Sequence, residues 1–292
     1  MTWVISKKKK YAGYTLYVLL LTLVCLYYRF PSEALAQYLR SFMEKGYPGY
    51  HLTIREVRPT LPLGVHISGA KVSSRARPDV PLFSASTASI RPEILSFLRG
   101  RSGYRFDCRA YGGRLEGSVH RGDKDTAIAS SMTFKNMRLE PFPPLAGHTL
   151  TGTLNGTVTY EGQEDLSKGT GEADLTISEG RLELPQPILI FNTLDFSDLS
   201  VKLVLKNRKV NLARFEMKGK AVQGELSGTI ALTGDLSQSR LNLRGTIEPL
   251  ASFFQDRRGE NNIIRRLTRR HKGGKISFLI YGTINDPKIR IM

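Results

Sequence analysis

From Tyr104 onward, apolar and polar residues alternate with a period of two. The pattern runs through Arg114 to Val119, Thr126 to Phe134, Thr149 to Tyr160, Val201 to Lys206, Val210 to Lys218, Ala221 to Leu232, Leu241 to Ile247 and Ile276 to Ile284. Strand side chains point alternately to the two faces of a sheet, so this pattern demands strands with one apolar and one polar face. The clearest hairpin is VKLVLKNRKVNLARFEMKG, where Asn207-Arg208 joins strands whose Val201, Leu203, Leu205, Val210, Leu212 and Phe215 can share a core. The change of phase between Leu212 and Phe215 predicts a bulge. A loose repeat, G-x-L-x-G-x-apolar, recurs at Gly113 to Val119, Gly152 to Val158 and Gly224 to Ile230. Glycine weakens a strand, so its return at Gly117, Gly156 and Gly228 predicts places where the sheet bends or another backbone approaches. Turn punctuation of an ordinary all-β chain is the alternative.

Upstream the period is mixed. In SEALAQYLRSFMEK, Leu35, Leu39, Phe42 and Met43 fall at helical spacing, with Ser32 as N-cap and the Gly46 to Gly49 turn as the stop. Beyond it His51 to Val57, Gly64 to Ile67 and Ala88 to Ile90 read as strands separated by Pro or Gly. Short helices are expected at Pro92 to Leu98 and between Pro249 and Lys272. The fold class is therefore mainly β, a curved antiparallel sheet with few short helices. Apolar residues at 40% and charged residues at 24% exclude both a disordered chain and a multi-span membrane protein.

The N-terminus has a different character. Tyr11 to Tyr28, YAGYTLYVLLLTLVCLYY, carries no formal charge over 18 residues. As a helix it is about 27 Å long, nearly the thickness of a bilayer core. Tyr11, Leu16, Leu19, Leu20, Leu23 and Tyr28 would contact the membrane, with tyrosines near both ends as interfaces favour. Lys7, Lys8, Lys9 and Lys10 precede the run and Arg29 follows it, so by the positive-inside rule the N-terminus stays in the cytoplasm and the rest is exported. A cleaved signal peptide competes with this anchor, because Ala34-Leu35-Ala36 has the form of a cleavage site that would leave a mature chain beginning near Gln37. The apolar run exceeds the roughly 7 to 15 residues of a signal peptide's apolar region, which favours the anchor.

The formal net charge of +17 is concentrated in Lys7 to Lys10 and in the stretch from Arg257 to Lys275. Neither cluster is interleaved with aromatic residues or set in a helix-turn-helix pattern, so nucleic acid is not an expected partner. The second cluster, NNIIRRLTRRHK, sets Ile263, Ile264 and Leu267 on one helical face and surrounds them with Arg265, Arg266, Arg269 and Arg270. It would suit phosphate-rich lipid headgroups or an acidic partner, or serve as a solvated connection.

No nucleophile elbow, P-loop, paired-histidine zinc motif or complete dinucleotide fingerprint occurs, so neither an enzymatic activity nor a cofactor or metal is expected. Asp123 with Asp125, Glu164 with Asp165, and Asp195 with Asp198 read as solvated loop residues. Cys108 lies in YRFDCRAY, where Tyr104, Phe106, Cys108 and Ala110 share a face, and reads as a buried small apolar residue. What remains is the apolar face itself. Leu203, Leu205, Leu226, Ile230, Leu241 and Leu243 recur on alternating strands with few helices to cover them. The second layer must be the sheet curling on itself, a partner subunit, or lipid, and a curled sheet with an open seam would form a groove.

The phrase FPSEALAQYL after the apolar run, the strand HLTIREVRPTLPLGVHISGAKV, the glycine-punctuated strands with Gly224 and Gly228, and the closing FLIYGTINDPKIRI together resemble the N component of the type II secretion system in its anchored, AsmA-like form. The closing phrase is similar to the ends of AsmA and TamB proteins. The resemblance implies a cytoplasmic basic tail at 1–10, a single transmembrane anchor at 11–30 and a periplasmic AsmA-like β domain at 31–292. It implies a non-enzymatic subunit of the bacterial inner membrane with other type II secretion subunits as partners. The wider AsmA group implies the alternative of binding or transferring lipid between membranes.

Overall fold

Two helices precede an unbroken run of strands in the computed structural model, which describes residues 7–61, 63–75, 77–94, 96, 102–122, 128–140, 149–163, 169–188, 191–250 and 275–292. Helix α1 covers Lys7–Tyr28 and α2 covers Ser32–Gly46. Pro31 separates them, since proline disfavours helical geometry in the residue before it. Pro31 itself takes the N-cap position of α2 without a side-chain cap, so Ser32 is the first helical residue rather than the cap. The helix ends where expected, with the Tyr47 N–H donating to the Met43 carbonyl at 2.8 Å.

The strands are β1 (Tyr50–Thr53), β2 (Glu56–Thr60), β3 (Gly64–Ser74), β4 (Arg77–Pro92), β5 (Ser102–Ala110), β6 (Gly113–Arg121), β7 (Ile128–Arg138) and β8 (Leu150–Gly162). They continue as β9 (Thr170–Ile188), β10 (Phe191–Lys206), β11 (Lys209–Lys218), β12 (Val222–Ala231), β13 (Arg240–Pro249), β14 (Ile276–Thr283) and β15 (Pro287–Ile291). All belong to one sheet in which each strand from β3 to β15 pairs with the next, and every pairing is antiparallel.

The first edge differs from expectation. His51 to Val57 is not one strand but two, because β1 and β2 both pair with β3 and break at Ile54-Arg55. Gly69 opposite the break is left-handed, with φ 63°, which kinks β3 and splits its edge partner. The Asn207-Arg208 hairpin forms as read, with both residues left-handed at φ 50° and 61°, the geometry of a turn that matches strand twist. The pairing slips between Lys202 and Leu203 opposite Leu212 and Arg214, so the expected bulge is present.

Asp195 and Asp198, expected in a loop, lie within β10. Opposite them Glu179 is left-handed at φ 48°. There the core-facing residues of β10 change phase from Leu194 and Phe196 to Leu199 and Val201. That slip hid the strand from a period-two reading. In the expected 92–98 helix Ile94 and Ser96 are helical, and 95, 97 and 98 lie outside the described residues, as does the expected helix beyond Leu250.

The sheet curls. Seven neighbouring strands laid flat would put β15 about 29 Å from β9, yet β15 packs against β9. Both edges of β9 are already bonded, to β8 and β10, so β15 lies over its face. Ile289 of β15 joins one buried cluster with Ile177, Leu199, Met217, Ile247 and Phe278. A smaller cluster forms around Ala85, Cys108, Ala110 and Met137, and α2 covers a third at Ile54, Val57 and Ile67 through Leu35 and Leu39.

Two of the repeated glycines stand where a side chain would collide with the neighbouring strand. Gly156 and Gly228 have φ 145° and 137°, and a Cβ on them would stand 2.2 Å from the Asp174 carbonyl oxygen and 2.3 Å from that of Asn242. Both face the apolar interior, Gly228 between Leu212 and Leu243. Gly228→Ala is therefore expected to destabilise the fold by about 2 kcal/mol or more, read as a lower midpoint in denaturant. An unchanged midpoint would mean that the bend tolerates a side chain.

Among the described residues no helix is long and apolar enough to cross a membrane. The 11–30 segment is thus helical to Tyr28, but this measure does not make it a span. The helix also begins earlier than the anchor read from sequence, at Lys7.

Candidate functional site

Strand register joins the apolar residues into one face that runs the width of the sheet. Leu203 pairs with Ala173 on one side and Leu212 on the other. Next come Gly228 and Leu243, then Ile280, then Ile289. The adjacent row on one side links Leu205, Val210, Ile230 and Leu241. On the other side it links Leu226, Gly245 and Phe278. Leu203, Leu205, Leu226, Ile230, Leu241 and Leu243 therefore share this face. In the N-terminal half the same face carries Ile67, Ala88, Cys108, Leu115 and Phe134.

Burial along this face is uneven. Ile276 is 0% exposed, Ile247 and Met217 3%, and Leu199 and Val222 4%, so one end is a closed core. At the opposite end Leu205, Val210, Ile230 and Leu241 are only half-buried. Leu203 and Leu226 are half-buried as well, whereas Leu243 at 7% belongs to the closed part. The face is thus filled by its own side chains at one end and less completely buried at the other.

The helix α1 adds a second apolar surface. Tyr11, Tyr14, Leu16, Tyr17, Val18, Leu21, Val24 and Tyr27 are all exposed, and at 100° per residue they spread over more than half of its circumference. Leu19, Leu20, Leu23 and Tyr28 lie in the same helix, as do Lys7, Lys8, Lys9 and Lys10, but the side chains of these eight are outside the described set. Where α1 ends, Tyr27 and Phe30 meet Leu61, Leu63, Ile90 and Tyr104 around an apolar pocket of about 310 Å³. Leu61 is 68% exposed, so the C-terminal end of α1 lies beside exposed apolar surface. Arg265, Arg266, Arg269 and Arg270 lie outside the described residues.

The reverse face of the sheet is polar. His66 Nδ1 lies 2.9 Å from Ser89 Oγ, and His120 Nε2 donates to Glu93 at 2.9 Å. The hydrogen bond from His120 leads in holding the Glu93 carboxyl below its ordinary range, with Ser96 and Arg105 contributing. Asp107 is also held low, first by the hydrogen bonds from Arg114 and then by the charges of Arg114, Arg109 and Arg91. Cys108 is buried, as read, and burial pushes its thiol up, away from reactivity. Among the described residues no group of three or more His, Cys, Asp or Glu could hold a metal ion.

Sequence reasoning passed over a cleft of about 740 Å³, which lies on this polar face and is lined by Arg91, Arg105, Arg109 and Arg114. The signal was present. The alternation that sets Tyr104, Phe106, Cys108 and Ala110 inward turns Arg105, Asp107 and Arg109 outward together. No family model matches the chain, and neither a curated protein nor a solved structure matches it.

A carboxyl with a lowered folded-state pKa contributes stability above its unfolded pKa and loses it as the pH falls through the folded one. Asp107 and Glu93 should therefore give the thermal midpoint an acid limb between about pH 5 and pH 2. Asp107→Asn should flatten part of that limb. An identical limb in the variant would show that the Arg114 pairing does not stabilise the fold.

Proposed function

We propose that this protein is a membrane-anchored, non-enzymatic β-trough that holds the hydrocarbon portion of a lipid at the open end of its sheet. The burial gradient along the inner face carries the reading. Leu205, Val210, Ile230 and Leu241 are only partly buried, with no described helix over them. An acyl chain would desolvate such a lining without requiring a polar partner.

The helix α1 supports membrane attachment. A helix without a formal charge from Tyr11 to Tyr28 suits a lipid environment. Its tyrosines lower its hydropathy, but Tyr11, Tyr14 and Tyr17 at one end and Tyr27 and Tyr28 at the other sit where bilayer interfaces favour rings with polar tips. Its 22 residues extend about 33 Å. With Lys7 to Lys10 at one end, this orientation puts 1–10 in the cytoplasm and 31–292 in the periplasm of a bacterial inner membrane.

A second reading, as a structural subunit of the type II secretion system, is favoured by the placement of the resembling phrases. FPSEALAQYL builds the joint and the start of α2, LPLGV leads from β2 into β3, and GTINDPKIRI forms the closing β14–β15 hairpin. Among the described residues β15 is hydrogen-bonded along one edge only, and its other edge offers backbone to a partner's strand.

Lipid mass spectrometry on the purified full chain separates the two readings. Stoichiometric lipid is expected in the wild type. Leu205→Glu, at the open end, should reduce it about fivefold or more while the fold persists. A folded, lipid-free wild type that instead retains secretion subunits would overturn the first reading in favour of the second. For topology, a periplasm-dependent reporter fused after Met292 should be active, and cytoplasmic activity would overturn the orientation.

A further inference from the structure

The cleft on the polar face lies across β3 to β7, on the side of the sheet opposite the trough. Four arginines line it, Arg91, Arg105, Arg109 and Arg114, against two carboxylates, Asp107 and Glu116. Those carboxylates are already engaged. Arg114 Nε lies 3.0 Å from Asp107 Oδ2 and 2.8 Å from Glu116 Oε1, and Lys135 Nζ donates to Glu116 at 2.9 Å. Nearby, Glu93 takes up Arg105 and His120, each at 2.9 Å. Arg91 and Arg109 are left with no carboxylate partner among the described residues.

The register sharpens this imbalance. Arg91 is the direct cross-strand neighbour of Arg105, and Arg109 that of Arg114. Like charges directly opposite on a sheet repel and destabilise the pair, and here the arrangement occurs twice around one cleft. The two pairs lie about 14 Å apart along β5, with Asp107 midway between them. Both Arg91 and Arg109 act electrostatically on the Asp107 carboxyl, so their charges converge on the middle of the cleft from opposite ends. Around them stand the hydroxyls of Ser89, Ser118, Ser131 and Thr133. Two unpaired guanidinium groups fit a phosphate, which accepts paired N–H bonds, and the flanking hydroxyls and carboxylates fit a polyol.

We propose that this cleft binds a phosphorylated polyol, its phosphate held by Arg91 and Arg109 and its hydroxyls by the serines and Asp107. The phosphate relieves the repulsion between the paired arginines. The same chemistry belongs to a soluble sugar phosphate and to the headgroup of a phospholipid such as phosphatidylinositol. The site is independent of the trough and does not rest on the trough's occupant.

The test is calorimetric titration of the detergent-solubilised full chain at constant ionic strength. The probes are myo-inositol 1-phosphate, unphosphorylated myo-inositol, and micelles doped with phosphatidylinositol or with phosphatidylcholine. A phosphorylated probe should bind and the two phosphate-free or zwitterionic controls should not. Arg91→Gln and Arg109→Gln should each weaken binding roughly tenfold or more, and Arg214→Gln, on a distant part of the polar face, should leave it unchanged. Both cleft variants replace exposed side chains, and each should keep the wild-type far-ultraviolet circular dichroism spectrum. Binding of the free phosphate identifies a soluble ligand, and binding of the doped micelle alone identifies a headgroup. The proposal is overturned if neither phosphorylated probe binds, if binding disappears when salt merely replaces the probe's charge, or if both cleft variants bind as tightly as wild type.

Discussion

A sheet with one apolar face must put something against that face, and the register carries this requirement from Val57 on β2 to Ile289 on β15. Each large apolar side chain taken from water contributes roughly 1.5 to 3 kcal/mol, so leaving the whole face wet would forfeit most of the driving force for folding. Among the described residues helices meet the need at the start, where Leu35 and Leu39 of α2 pack on Ile54, Val57 and Ile67. Elsewhere the sheet curls until β15 rests on β9. Glycines without a Cβ at Gly156 and Gly228 let that curvature coexist with close backbone contact.

The curl satisfies the face unequally, and the inequality is where stability and function divide. Around Ile276 and Ile247 the leaves of the sheet meet and exclude water. Around Leu205 and Ile230 they do not, so apolar surface is retained that contributes little to folding alone. Contiguous apolar surface of that kind marks a binding site more often than a packing defect. The reverse face carries charge in the same way, with Arg91 directly opposite Arg105 and Arg109 directly opposite Arg114.

Much of this architecture is legible in the alternation of residues. The Asn207-Arg208 hairpin, the bulge after Leu212, the span of α2 and the common face of Leu203, Leu226 and Leu241 follow from period and turn chemistry alone. What escaped reading has local causes. The left-handed residue Glu179 shifts the phase opposite Asp195 and Asp198, so β9 and the first half of β10 do not alternate cleanly. The left-handed Gly69 divides an edge strand that reads as continuous. Whether Leu243 sits in an open or a closed stretch depends on which strands meet when the sheet curls, a long-range property that alternation does not encode. The arginine cleft escaped because its members come from three strands and converge only through register.

The central claim is that the trough is open to hydrocarbon at one end and sealed at the other. Paramagnetic broadening by a nitroxide-labelled fatty acid, read on the isoleucine, leucine and valine methyls of the full chain in detergent, tests it directly. The account predicts broadening at Leu205, Val210, Ile230 and Leu241, with Ile247 and Ile276 unaffected. Uniform broadening, or none at the open-end methyls while the label broadens the exposed polar face, would contradict it.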